Sequence, residues 1–230
     1  MQFTASDMFD YVDSSGSLNS VKAVSNSFQF RLTGLLAAPN QASLRSLRNT
    51  TYNGCDAAQK ASILEAAQKA DQYVNQARTY FQVNGAPTIE SQLLLSVSNF
   101  QRNQFTKWFG AFDKDRFNLV ASHFEKIALQ GPKSSYDCKT CHKPDVFAYV
   151  FASDPSQTIY LCPRYWKSPL AGVNSRAGTL VHENSHFKVN GGTEDYEYGV
   201  NNCTALAQEP PEAAVMNADN HEYFLIDETC

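Results

Sequence analysis

The chain has 230 residues, 43% of them hydrophobic, and a formal net charge of −4. That length fits one domain, or one domain with a short appendage, and can bury a core without help. The acidic balance gives no footing for nucleic acid or anionic membrane, and no apolar run approaches the ~20 residues of a membrane span.

Residues 1–50 differ in character from the rest. Asp13-Ser14-Ser15-Gly16-Ser17 reads as a turn, and Phe28 to Thr33 alternates like a half-buried strand. A lone hairpin is marginal in water, so this segment either packs on the main body or remains from a larger β domain. Residues 37–48 read as a connection. From Asp56 the apolar positions Ala57, Ala61, Leu64, Ala67, Tyr73, Val74, Ala77 and Phe81 recur near the 3.6 period of a helix, which Pro87 breaks. Two more helices are expected over 89–108 and 114–129, the second ended by Gly131-Pro132. Strands follow at 146–152 and 158–162 around the turn Ser153-Asp154-Pro155-Ser156. Ser175 is placed to cap a helix running to Asn190, with Gly191-Gly192 as its left-handed stop. The class is α+β, mostly helical, with a small antiparallel sheet.

Six cysteines and two glycosylation sequons, Asn49-Thr50-Thr51 and Asn202-Cys203-Thr204, favour an oxidised, extracellular protein. The opening QFTASDMFDYV lacks a basic and an apolar region, so a secretion signal would have been removed or lie upstream.

The chemistry concentrates in His182-Glu183-Asn184-Ser185-His186. Four residues is slightly more than one helical turn, so both imidazoles leave one face and can share a metal. Glu183, one residue round, is placed to take a proton from a zinc-bound water of pKa near ~7. The same pentapeptide also occurs on polar helices without a metal, but Thr179-Leu180-Val181 is apolar enough to bury this one. A catalytic zinc needs a third protein ligand and one open position. A histidine at 192 would supply it in the extended zinc-protease pattern, but Gly192 stands there. Glu209 or Glu212 from a later helix, or Asp195 returned by the turn Gly192-Thr193-Glu194-Asp195, remain as candidates.

H-E-x-x-H followed by G-T-x-D resembles the signature of the aspzincins, the deuterolysin-like zinc endopeptidases, and within them the peptidyl-Lys metalloendopeptidases. Thr51-Tyr52-Asn53-Gly54-Cys55, Phe147–Val150, Ile159–Cys162 and Ala214–Phe224 extend the likeness over about residues 51–227. It implies a zincin-type domain at 51–230 that holds one Zn2+ on His182, His186 and Asp195. Glu183 would be the base and Tyr198 the stabiliser of the tetrahedral intermediate. Asp219 and Glu222, otherwise an ordinary solvated acidic face, would receive a substrate lysine after the cut bond. Protein or peptide substrates containing lysine, no nucleic acid, no membrane and a monomer are expected. The rival functions are a broad-specificity deuterolysin-like protease and a latent or non-catalytic zinc-binding protein.

Cys138-Lys139-Thr140-Cys141-His142 also fits a haem-attachment pattern, but six cysteines can close three bridges. The resemblance implies Cys55–Cys138 and Cys141–Cys162, which leaves Cys203 and Cys230 to pair by exclusion. Residues 1–50 resemble the end of an inhibitory prosegment, the alternative being a permanent extension.

Overall fold

In this computed structural model the described residues are 8–12, 18–22, 50–85, 104–130 and 134–226. The chain divides into two compact units, Met1–Asn40 and Gln41–Cys230. The first contains an antiparallel pair, β1 (Met8–Val12) and β2 (Leu18–Lys22); the turn expected at 13–17 lies outside the described residues. The expected strand at 28–33, the connection at 37–48, Asn49, most of the helix expected over 89–108 and Cys230 lie outside the described residues.

In the second unit, β3 (Tyr52–Asn53) leads into α1 (Ala57–Gly85). Asp56 and Gln59 close the start of α1 reciprocally: Gln59 N donates to Asp56 Oδ1 at 2.7 Å, and Asp56 N donates to Gln59 Oε1 at 3.0 Å. Residues 104–109 are helical, and α2 (Lys114–Gln130) begins where Asp113 Oδ1 accepts from the amides of Asp115 and Arg116. Then come β4 (Ser135–Asp137), β5 (Ala148–Val150) and β6 (Thr158–Leu161). The sheet order is β3-β4-β6-β5, with β3–β4 and β4–β6 parallel and β5–β6 antiparallel. The sheet is therefore mixed rather than antiparallel throughout. Helices intervene between β3 and β4, allowing a parallel return, whereas β5 and β6 are joined by a turn that Asp154 stitches through the amides of Ser156 and Thr158.

Disulfides Cys55–Cys138 and Cys141–Cys162 tie β3 to the end of β4 and the following loop to β6. Cys138 and Cys141 thus serve different bridges, which rules out a shared haem or metal there. Cys203 forms no bridge among the described residues; Cys230, with which it is expected to pair, lies outside them. Cys203 is fully buried, donates to Glu197 O at 3.6 Å and accepts from Asn217 Nδ2 at 3.5 Å, so it forms part of the packed interior.

After the short turn of helix at Tyr165–Lys167, α3 (Arg176–His186) carries the histidine motif; α4 (Val200–Gln208), α5 (Pro211–Ala214) and α6 (Ala218–Ile226) complete the unit. The core lies where α1, α2, α3 and α6 meet, and is largely aromatic: Phe81, Phe105, Phe109, Phe117, Phe124 and Phe224 pack edge-to-face and stacked. Ser175 caps α3 by accepting from Gly178 N at 3.0 Å. The helix stops at His186, four residues before the expected end. Phe187 turns to an extended backbone and buries its ring completely, and Gly192, at φ +61°, donates its amide back to Phe187 O. That early stop brings the following segment back against the helix.

Candidate metal centre

Three ligand atoms converge at the end of α3. His182 Nε2 lies 3.2 Å from Asp195 Oδ1, and His186 Nε2 lies 3.4 Å from the same oxygen. Ligands ~2.0–2.2 Å from a tetrahedral zinc stand roughly 3.3 Å from one another, so the cluster has the dimensions and the donor set of a zinc site. The opposite nitrogen of each ring is engaged. His182 Nδ1 donates to Asp219 Oδ1 at 2.8 Å, and His186 Nδ1 donates to Thr193 O at 2.8 Å. These bonds fix Nδ1 as the protonated nitrogen of each ring, so Nε2 is the atom each could offer to a metal beside Asp195. Of the three candidates for a third ligand, only Asp195 is brought to the histidines. Glu209 is exposed, and Glu212 is exposed and paired with Arg116 at 2.8 Å.

The electrostatics follow from the crowding of charges. Burial works against a charge on either imidazole, but hydrogen bonds to Asp195, and to Asp219 for His182, outweigh it and raise both rings above the ordinary histidine range. Burial would also raise the Asp195 carboxyl, yet the two histidines hold it well below the usual range. Glu183 is buried at 4% exposure, and that burial raises its carboxyl. Tyr198 stacks its ring over His182 at 6.5 Å, and desolvation together with a hydrogen bond to Asp195 raises its phenol.

The segment carrying Asp195 and Tyr198 is held by the start of α6. Glu194 N donates to Met216 O and Ala218 N donates to Glu194 O. Asn217 Oδ1 accepts from the amides of Tyr196 at 2.8 Å and Glu197 at 3.1 Å, and its Nδ2 donates to Glu197 O. Gly199 N donates to Asp219 Oδ2 at 2.8 Å, so both carboxylate oxygens of Asp219 are engaged. Glu222, one turn on, has no hydrogen bond among the described residues. Its Oε2 stands 3.7 Å from His182 Nδ1, and burial pushes its carboxyl up to about 8. His182, Glu183, His186, Asp195, Tyr198, Asp219 and Glu222 all line one cleft of about 820 Å³, whose far wall includes the outer strand β5. A cleft of that size suits a peptide-sized ligand.

The family model described as lysine-specific metallo-endopeptidase, of the aspzincins, matches residues 95–226, a span that includes the whole cluster. The chain belongs to the aspzincin family. A peptidyl-Lys metalloendopeptidase of Grifola frondosa is 41% identical over 178 residues, 77% of this chain and 47% of that one. One from Armillaria mellea is 35% identical over 223 residues, 95% of this chain and 58% of that one. The chain thus spans about half the length of these curated relatives. The solved zinc peptidase from Grifola frondosa superposes with a TM-score of 0.65 at 38% identity, over 75% of this chain and 97% of that chain.

Two contributors to this aspzincin site carry no signal in the sequence. Thr193 O accepts from His186 Nδ1, and Asn217 holds the amides of Tyr196 and Glu197. Each acts on a residue distant in sequence or through its backbone, and neither spacing nor residue type announces that.

Proposed function

We propose that this chain is a secreted zinc endopeptidase that hydrolyses peptide bonds on the amino side of lysine. The observation that carries the reading is the convergence of His182, His186 and Asp195 in a peptide-sized cleft beside two buried carboxylates. When bound by those three side chains, zinc supplies Lewis acidity and a water of lowered pKa. Glu183 takes the proton that the attacking water loses and passes it to the leaving amine, a task suited to a carboxyl that burial raises. Tyr198 donates its phenolic hydrogen bond to the oxyanion that develops on the substrate carbonyl. Glu222, free of hydrogen-bond partners among the described residues, accepts the lysine ammonium. Asp219 adds its charge to the pocket while orienting His182.

Residues 51–230 are the peptidase on this reading, and 1–50 either a prosegment remnant, whose removal raises activity, or a permanent extension. That the solved relative is covered almost whole by three-quarters of this chain accords with a peptidase unit shorter than the chain. Extracellular action accords with the two disulfides and with a relative named extracellular protease.

The test is a cleavage map. The chain, intact and cut near residue 50, is incubated with an unfolded protein, with and without a zinc chelator, and new N-termini are read by mass spectrometry. Chelator-sensitive peptides beginning with lysine are expected. Cleavage without lysine preference would discard the pocket, and no cleavage by zinc-loaded protein would discard the peptidase.

A further inference from the structure

Gly178 stands one turn before His182 on the same face of α3, so Gly178, His182 and His186 form one stripe along the helix. A β-carbon at position 178 would overlap Glu222 Oε1 and stand 2.9 Å from its Cδ and 3.1 Å from its Cγ. Helical backbone makes no demand for glycine here, since alanine is the better helix former. The amide of Gly178 makes the ordinary capping bond to Ser175, which any residue would supply. What the missing side chain provides is room, and the Glu222 carboxylate fills it.

Glu222 is buried at 6% exposure, without a hydrogen bond among the described residues. Its nearest cationic group is His182, whose Nδ1 lies 3.7 Å from Oε2, beyond hydrogen-bond distance. Glu222 lines the cleft together with Asp219 and Thr179.

We propose that Gly178 is a positioning residue for substrate specificity: having no side chain, it lets the Glu222 carboxylate seat against α3 where the ammonium of a substrate lysine meets it. The inference rests on the lysine pocket proposed above. The three atoms nearest to a β-carbon at 178 all belong to Glu222, so a side chain there would push the carboxylate off this seat.

Full-length Gly178→Ala, Glu222→Gln and Glu222→Ala proteins, and the double variant combining Gly178→Ala with Glu222→Ala, would be compared on two peptides, one with lysine and one with leucine after the scissile bond. For Gly178→Ala, kcat/KM on the lysine peptide is expected to fall roughly 10-fold or more through KM, with zinc content and leucine-peptide cleavage unchanged. In the Glu222→Ala background the same change should leave selectivity where it was, because its target is gone. Thermal stability adds a readout with a change of sign: Gly178→Ala lowers Tm beside Glu222 and raises it in the Glu222→Ala protein, where only helix propensity remains.

Should Gly178→Ala alone fail to fold, recovery of folding in the double variant supports the proposal, and failure there too overturns it. Wild-type selectivity in Gly178→Ala, alongside lost selectivity in Glu222→Gln, overturns it while leaving the pocket standing. Full lysine selectivity in Glu222→Gln removes the pocket and the inference together.

Discussion

The molecule holds two histidine pairs that the fold treats in opposite ways. His182 and His186 are one turn apart on α3, edge-to-face with centroids 4.9 Å apart, and they face carboxylates across a cleft. His123 and His221 come from α2 and α6, 98 residues apart in sequence, and His123 Nδ1 meets His221 Nε2 at 3.0 Å. Phe109 and Phe124 pack against His221, and its Nδ1 donates to Asn217 O, so Nε2 accepts the proton of His123 Nδ1. Carboxylate neighbours raise the outer pair, despite burial. In the inner pair burial, with Lys126 beside His123 and the neighbouring ring beside His221, lowers the imidazoles to about 4 and about 3. Residue type alone decides little; the charge and dryness of the neighbours decide whether a histidine binds a cation or serves as an aromatic with a hydrogen bond.

The contrast breaks most visibly at Glu183. Glu183→Gln keeps the three ligand atoms and removes the proposed base, so zinc content should hold while turnover of a lysine peptide falls about 10²–10⁴-fold. Turnover near the wild-type level would remove Glu183 from its role. Asp219→Asn tests whether the outer pair owes its character to carboxylates. Weakening the hydrogen bond on His182 Nδ1 should loosen zinc roughly 10–100-fold in a chelator competition, and unchanged affinity would mean that His182 is oriented without it.

The inner pair predicts a smaller effect on stability. Its rings take up protons near 6.5 when unfolded and only near 4 and 3 when folded. Between those values the unfolded chain holds more protons, so stability is full above about pH 6.5 and declines as pH falls towards 4. The slope is at most about 1.4 kcal/mol per pH unit for each ring. Urea unfolding from pH 7.5 down to pH 4.5 should show a shallower decline for His221→Phe than for the wild type, and identical slopes would place the acid sensitivity elsewhere.

Much of the site was legible without coordinates. The four-residue spacing of His182 and His186, the capping serine and the turn that returns Asp195 are local patterns, and the family likeness added Tyr198, Asp219 and Glu222. The helical periods from 57 to 85 and from 114 to 130 were equally plain, because a buried stripe repeats every turn of its own helix. Local pattern failed where a distant partner outbid it. The α3 helix ends at His186 because the core takes the Phe187 ring, and β3 and β4 run parallel because helices separate them.

By itself, the sequence determined which residues can ligate, which helix presents them and which cysteines are available, since these depend on spacing within a turn and on chemical identity. Only the tertiary structure decided what each group faces. Asp219 hydrogen-bonds His182, a contact no sequence window shows; His221 lies between Asp219 and Glu222 in sequence yet turns into the aromatic core. Gly178 matters only because α6 lays Glu222 across it. Orientation, burial and partnership arise when elements far apart in the chain pack together, and no window of neighbouring residues contains that information.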